Sequence, residues 1–198
     1  MIILALDLGK FNTMCCFFDT ETRKHSFLNA LTDRDYLSKV FQSHPIDLVV
    51  MEACGPSGWI NDLAVGQGLK TLVCSTNEDA WKWNNVKRKT DRDDALKLAR
   101  MASMNELKAV HMPSPQHREF RSLVKYRKTL CDRINKIKCT IRAWFVNHGI
   151  GIERGEAAWH TGREQINKFR KRLETCSLDE LWRGELDLEL TQLDALTE

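Results

Sequence analysis

A mixed α/β domain followed by a helical extension is the fold class this sequence predicts, on three observations. Short apolar runs bounded by turn residues occupy Ile2 to Cys74, and helical periodicity takes over from Asp91. Pro113 and Pro115 then separate this body from a long amphipathic stretch. The expected division is 1–112 and 113–198, and 198 residues suffice for one domain of ordinary size plus an extension.

Ile2 to Leu6 form an apolar run that ends in Asp7-Leu8-Gly9, a strand opening into a turn. Thr13 to Phe18 is rich in strand-compatible residues, Asp19 to Thr22 suits a turn, and Lys24 to Leu28 returns as a third strand. Thr32 is placed to cap a helix, with Asp35 completing a capping-box pattern and Tyr36, Leu37, Val40 and Phe41 as its buried face. Asp47 to Glu52 holds Leu-Val-Val-Met between two acids, a pattern for a central strand. Gly55 to Gly58 breaks the chain, Trp59 to Val65 reads as a helix, and Leu69 to Cys74 as a further strand. From Asp91, Ala95, Leu98, Ala99 and Ala102 recur at helical spacing. Beyond the prolines, Phe120, Leu123, Val124, Leu130, Ile134, Ile137, Ile141, Trp144 and Phe145 predict one amphipathic helix over about Gln116 to Asn147, ended by Gly149 and Gly151. Lys168 to Arg172 reads as basic helical sequence, and Leu186, Leu190 and Leu193 lie near coiled-coil spacing.

Composition narrows the function classes. A hydrophobic fraction of 42% suits a globular core, and the absence of a long apolar run argues against a membrane span. The opening MIILALDLGK has no basic region before its apolar stretch, which argues against a secretory signal. Seven cysteines with no CxxC pair argue against a zinc knuckle and for reduced thiols acting as small hydrophobes. The net charge is only +3, but it is unevenly spread. Residues 118–148 hold nine bases against two acids, and residues 179–198 hold one against seven. A basic arm of this kind suits a polyanion, although solvated helix faces give the same counts.

Four acids stand out: Asp7 at the end of the first strand, Glu52 at the end of the central strand, and Asp91 and Asp94 one helical turn apart. Such a cluster repels itself unless cations neutralise it, and hard oxygen donors suit magnesium or manganese. Two ions roughly 4 Å apart activate water and stabilise the leaving oxygen in phosphodiester cleavage. Each acid also has a structural alternative: a turn acid at Asp7, a salt bridge at Glu52, a helix cap at Asp91 and Asp94. Asp93 is expected to point away into solvent. Before these acids, Trp81 and Trp83 interleave with Lys82, Lys87, Arg88, Lys89 and Arg92, a combination suited to phosphates and bases. Arg121, Lys125, Arg127, Lys128, Lys136 and Lys138 offer phosphate contacts on the long helix, as do Arg118, Arg133 and Arg142.

Asp7-Leu8-Gly9-Lys10, Val50-Met51-Glu52-Ala53-Cys54-Gly55 and, most specifically, Lys89-Thr90-Asp91-Arg92-Asp93-Asp94-Ala95-Leu96-Lys97-Leu98-Ala99 resemble IS110-family transposases, with the IS1111 branch in view. Arg121-x-Leu-x-x-Tyr-Arg-x-x-Leu resembles the start of the family's helical region. The resemblance implies an RNase H-like (RuvC-like) fold and a DEDD tetrad, carried by motif onto Asp7, Glu52, Asp91 and Asp94. It further implies Mg2+ or Mn2+, donor and target DNA, a structured bridge RNA, a dimer or tetramer formed partly through a coiled coil, and a cytoplasmic, nucleoid-associated setting. Family members continue into a second domain with a nucleophilic serine, and no serine here lies in a matching context. The chain is therefore expected to be truncated before that domain. The rival readings are a stand-alone Holliday-junction resolvase-like nuclease, a non-catalytic nucleic-acid-binding module, and an actin-like ATPase.

Overall fold

The computed structural model describes residues 1–75 and 90–198. Five strands form one sheet among them: Ile2–Leu8 (β1), Asn12–Asp19 (β2), His25–Leu31 (β3), Leu48–Glu52 (β4) and Lys70–Cys74 (β5), in the order β3-β2-β1-β4-β5. The β1–β2 and β2–β3 pairs are antiparallel hairpins, whereas β1–β4 and β4–β5 are parallel. Parallel neighbours need crossovers, which two helices supply: Arg34–Gln42 (α1) before β4 and Ser57–Gly66 (α2) between β4 and β5. A third, Asp91–Ser103 (α3), follows β5 in the chain. A mixed sheet flanked by helices, with a helical extension after it, is the arrangement of an RNase H-like core and tail.

Side chains alternate across a strand, so parity assigns each residue to a face. Leu4, Leu6, Val49 and Met51 belong to the core shared with Leu37, Val40 and Phe41 of α1 and Ile60 and Ala64 of α2. Ile3, Ala5 and Val50 belong to the opposite core, shared with Ala95, Leu98, Ala99 and Ala102 of α3. The next positions of that second parity are Asp7 on β1 and Glu52 on β4.

Helix α1 starts one residue later than the sequence reading. Asp33 is its cap and accepts from the Tyr36 N–H at 2.7 Å. Thr32 is engaged elsewhere, donating its hydroxyl to the Gly9 carbonyl at 3.1 Å and lying 2.8 Å from the Thr13 hydroxyl. A side chain committed to the β1–β2 turn cannot also cap the helix.

Backbone contacts divide the chain into Met1–Arg118 and Glu119–Glu198. The helix Pro115–Asn147 (α4) begins with proline at its first position, and Ser114 accepts from the His117 N–H at 3.3 Å. It ends at Gly149, whose φ of 67° lets the Ile150 N–H reach back to the Phe145 carbonyl at 2.8 Å. In the second unit, Ile137, Ile141 and Phe145 share a core with Ile166 of the short helix Arg163–Asn167 (α5) and with Leu186, Leu190 and Leu193 of Leu181–Thr197 (α6). The leucines spaced like a coiled coil are thus buried within this unit.

Two sequence expectations need correction here. Lys168 to Arg172 is not helical, because α5 stops at Asn167 and a short turn of 3-10 helix follows only at Leu173–Thr175. The apolar stripe of α4 is also not buried along its whole length. Phe120, Leu123 and Val124 are exposed, since the elements of residues 150–197 fold back on the C-terminal half of α4 alone.

Candidate functional site

Register brings the first two acids together. The parallel β1–β4 ladder pairs Leu4 with Val49, Ala5 with Val50 and Leu6 with Met51, so Asp7 and Glu52 come next in line on adjacent strands. Both are half-buried and share the sheet face that α3 covers. Antiparallel pairing holds Asp7 opposite Met14, and parallel pairing holds Glu52 opposite Cys74.

Cys54 reports on this pair. The turn from β4 into α2 is closed by Ser57, whose hydroxyl donates to the Cys54 carbonyl at 2.8 Å and accepts from the Cys54 N–H at 3.1 Å. Burial raises the Cys54 pKa most, and a hydrogen bond with the Ser57 backbone opposes that rise. The negative charges of Glu52 and Asp7 then add to it. Two carboxylates acting on one sulfur share its neighbourhood.

The other two acids occupy the first turn of α3, where Ala95 and Leu98 fix the buried side. Asp94 is half-buried, one residue before Ala95, while Asp91 is exposed. The capping work at this terminus falls to other residues. Thr90 accepts from the Asp93 N–H at 3.3 Å and the Asp93 carboxylate accepts from the Thr90 N–H at 3.3 Å, forming a capping box that the Thr90 hydroxyl reinforces by donating to the same carboxylate at 2.7 Å. Asp93 is therefore solvent-exposed but structural. The pattern Thr-x-x-Asp was the available signal, hidden in a run with three acids. Among the described residues, no group of three or more His, Cys, Asp or Glu side chains is gathered closely enough to hold a metal. The structure thus brings Asp7 and Glu52 to one end of the two inner strands and sets Asp91 and Asp94 on the helix that covers that face, without closing the four into one cluster.

The cations differ from one another. Lys87, Arg88 and Lys89, with Trp81, Lys82 and Trp83, lie outside the described residues. Arg92 is exposed at 5.7 Å from the Phe27 ring centroid. Arg121, Lys125, Arg127, Lys128 and Lys136 are exposed on α4. Lys138 instead donates to Glu156 at 2.6 Å and lies 5.6 Å from the Trp159 ring centroid. Arg142 bonds to the carbonyls of Glu153 and Gly155, and Arg118 pairs with Asp62 and packs on Gly58. Sequence spacing alone does not separate the exposed bases from these engaged ones.

Against this geometry the comparisons with known proteins are decisive for the family. The model of the DEDD domain of IS110 elements, described as a transposase, matches residues 4–148. The chain belongs to the IS110 transposase family. It is 27% identical over 154 residues to a transposase for insertion sequence element IS1111A from Coxiella burnetii (strain RSA 493 / Nine Mile phase I), covering 77% of this chain and 41% of that relative. It is 34% identical over 71 residues to a putative transposase, y4qE, from Sinorhizobium fredii (strain NBRC 101917 / NGR234), covering 36% of this chain and 18% of that one. The chain thus spans less than half the length of these relatives. Among the described residues, no helix is long and apolar enough to cross a membrane.

Proposed function

We propose that this IS110-family chain supplies the metal-dependent, DNA-processing acidic domain of a transposase, with Asp7, Glu52, Asp91 and Asp94 as its catalytic, metal-binding carboxylates. The observation that carries the reading is the position of Asp7 and Glu52. They occupy consecutive places at the ends of two paired parallel strands, on the face covered by the helix that bears Asp91 and Asp94. A purely structural role for the acids of α3 is weakened because Thr90 and Asp93 already cap it.

The donor set fits a hard divalent cation. Magnesium is commonly held by one or two carboxylates, with water and phosphate oxygens completing its shell, so the Asp7–Glu52 pair is enough to seat one ion. Asp94 on the covering helix stands ready to extend that site. Bound there, Mg2+ or Mn2+ supplies charge neutralisation and an activated water for phosphodiester cleavage. The chain's own part is to keep two acids half-buried at rigid strand ends and to present exposed bases to the phosphate backbone. Arg92, Arg121, Lys125, Arg127, Lys128 and Lys136 serve this purpose. Lys87, Arg88 and Lys89 join the proposed set by their place in the motif, and Lys138 joins it by exchanging Glu156 for a phosphate.

In this reading residues 1–112 are the acidic domain and 113–198 the helical extension. Donor and target DNA and a structured bridge RNA are the partners, in a cytoplasmic, nucleoid-associated setting. Assembly into dimers or tetramers has a candidate surface in the exposed Phe120, Leu123 and Val124 of α4.

The test is cleavage of labelled branched and linear DNA with Mg2+ or Mn2+, comparing the wild-type chain with an Asp91→Ala, Asp94→Ala variant. Metal-dependent cutting lost in the variant is the expected result, and preferential cutting of the branched duplex would favour a stand-alone resolvase. Cutting that survives in the variant removes these two acids from the site. In parallel, Mn2+ should raise the melting temperature of the wild type and not that of an Asp7→Asn, Glu52→Gln variant.

A further inference from the structure

We propose that the β1–β2 turn is a nucleotide clamp, in which the Phe11 ring stacks on an unpaired base of a DNA strand while Lys10 contacts a neighbouring phosphate. The clamp rests on the nucleic-acid reading above and adds to it the residues that would hold the strand beside Asp7.

Phe11 is 72% exposed, the most exposed aromatic ring among the described residues. A single exposed hydrophobe is ordinary on a protein surface, so exposure alone means little. What distinguishes Phe11 is how firmly the turn holds it outward. The Gly9 N–H donates to the Asn12 carbonyl at 3.1 Å, and the Thr32 N–H donates to the Phe11 carbonyl itself at 2.9 Å. The Thr32 hydroxyl donates to the Gly9 carbonyl at 3.1 Å and lies 2.8 Å from the fully buried Thr13 hydroxyl. A Cβ at position 9 would stand 2.4 Å from the Asn12 carbonyl oxygen, so only glycine permits so tight a turn. A loosely tethered phenyl group would fold onto nearby apolar surface. Here three hydrogen bonds fix the main chain of the turn, one of them at the Phe11 carbonyl, and the ring faces water.

Its chemistry and its place are both suitable. The Lys10 ammonium lies 5.2 Å from the Phe11 ring centroid, and Lys10 forms no ion pair with a carboxylate among the described residues. The pair therefore has a cation over one face of the ring and leaves the other face to a base. An aromatic face takes any base whose own face is open, and a lysine is a point charge for phosphate. Bases within a duplex have both faces covered by their neighbours, so the chemistry selects an unpaired nucleotide. The turn lies at the end of the sheet where β1 finishes, four residues beyond Asp7. A strand gripped here passes the proposed carboxylate site.

The experiment measures binding without cutting. Purified chain is titrated in EDTA into a fluorescein-labelled DNA single strand carrying 2-aminopurine, and into the fully paired duplex of the same sequence. Phe11→Ala should weaken single-strand binding roughly 5- to 100-fold and abolish the quenching of 2-aminopurine, while Phe11→Trp preserves both. Lys10→Ala should reduce the slope of log Kd against log salt by about one. Unchanged affinity and quenching in Phe11→Ala overturn the clamp, as does an equal loss on single strand and duplex. A wild-type chain that binds neither DNA overturns the nucleic-acid reading itself, a result distinct from failure of the clamp alone.

Discussion

In Met1–Arg118 two of the acids of interest, Asp7 and Glu52, stand at the ends of strands, and Asp91 and Asp94 stand in the first turn of the helix that covers the same sheet face. In Glu119–Glu198 several acids stand opposite bases. Arg163 reaches Asp194 at 2.5 Å and Arg170 reaches Asp187 at 2.6 Å. Lys171 and Arg183 both engage Glu180. Three acids of the acidic end, Glu180, Asp187 and Asp194, are therefore paired with bases from 163–183 of their own unit. Local charge counts carry no such distinction. In the second unit these pairs join residues 163–183 to α6 and to the turn before it, which is the work of a structural network.

The sharpest way to break this comparison is to remove the apolar anchor of the second unit. Phe145 is fully buried and meets Phe169 and Trp182 edge-on, with ring centroids 5.3 Å and 5.8 Å away. Phe145→Ala should cost about 3–5 kcal/mol, the range for truncating a core aromatic. Hydrogen exchange should show protection lost over α6 and the C-terminal half of α4 while β1 and β4 keep theirs. Loss of protection in both regions at once would mean that the two units unfold as one, and that contrasting them as separate bodies is wrong.

A smaller effect sharpens the contrast inside the first unit. Thr90→Ala removes the cap of α3 and should destabilise by about 1 kcal/mol, measured by urea denaturation. Asp91→Ala, which leaves the capping box intact, should cost less than Thr90→Ala. The reverse order would mean that Asp91 is the structural acid and would return it to the role of helix terminus.

Much of the fold was legible because the strands are short, apolar and punctuated. Leu-Val-Val-Met before Glu52 and Ile-Ile-Leu-Ala-Leu before Asp7 mark buried strands whatever their partners, and parity then puts both acids on one face. The places where the reading slipped have local causes. Thr32 and Asp33 are both good caps, and only the tertiary demand of the β1–β2 turn for a hydroxyl decides between them. The stripe of α4 has the same period along its length, yet burial depends on where residues 150–197 fold back, which periodicity does not encode. Lys168 to Arg172 has helical composition, but Arg170 reaches Asp187 on α6 and Lys171 reaches Glu180, the residue before α6. Phe11 carried no signal in one dimension, because its distinction is a set of hydrogen bonds to Thr32, twenty-one residues away.

The mildest test concerns pH. The Lys171 ammonium, hydrogen-bonded to Glu180, holds that carboxyl at about 2 instead of its ordinary 4.5, with the Ser177 hydroxyl adding to the effect at 2.9 Å. A carboxylate whose pKa is depressed by folding binds fewer protons in the folded chain than in the unfolded one. Its stabilising contribution is complete above about 4.5 and disappears as pH falls through about 2. Between those limits, helicity of the wild-type chain followed by circular dichroism should fall more steeply with acid than that of Glu180→Gln. The glutamine variant, which cannot titrate there, should start less stable at neutral pH and converge with the wild type near pH 2. Parallel acid curves for the two chains would show that the Lys171–Glu180 pair is a surface contact without energetic weight, and the contrast between the units would then rest on Phe145 and its neighbours alone.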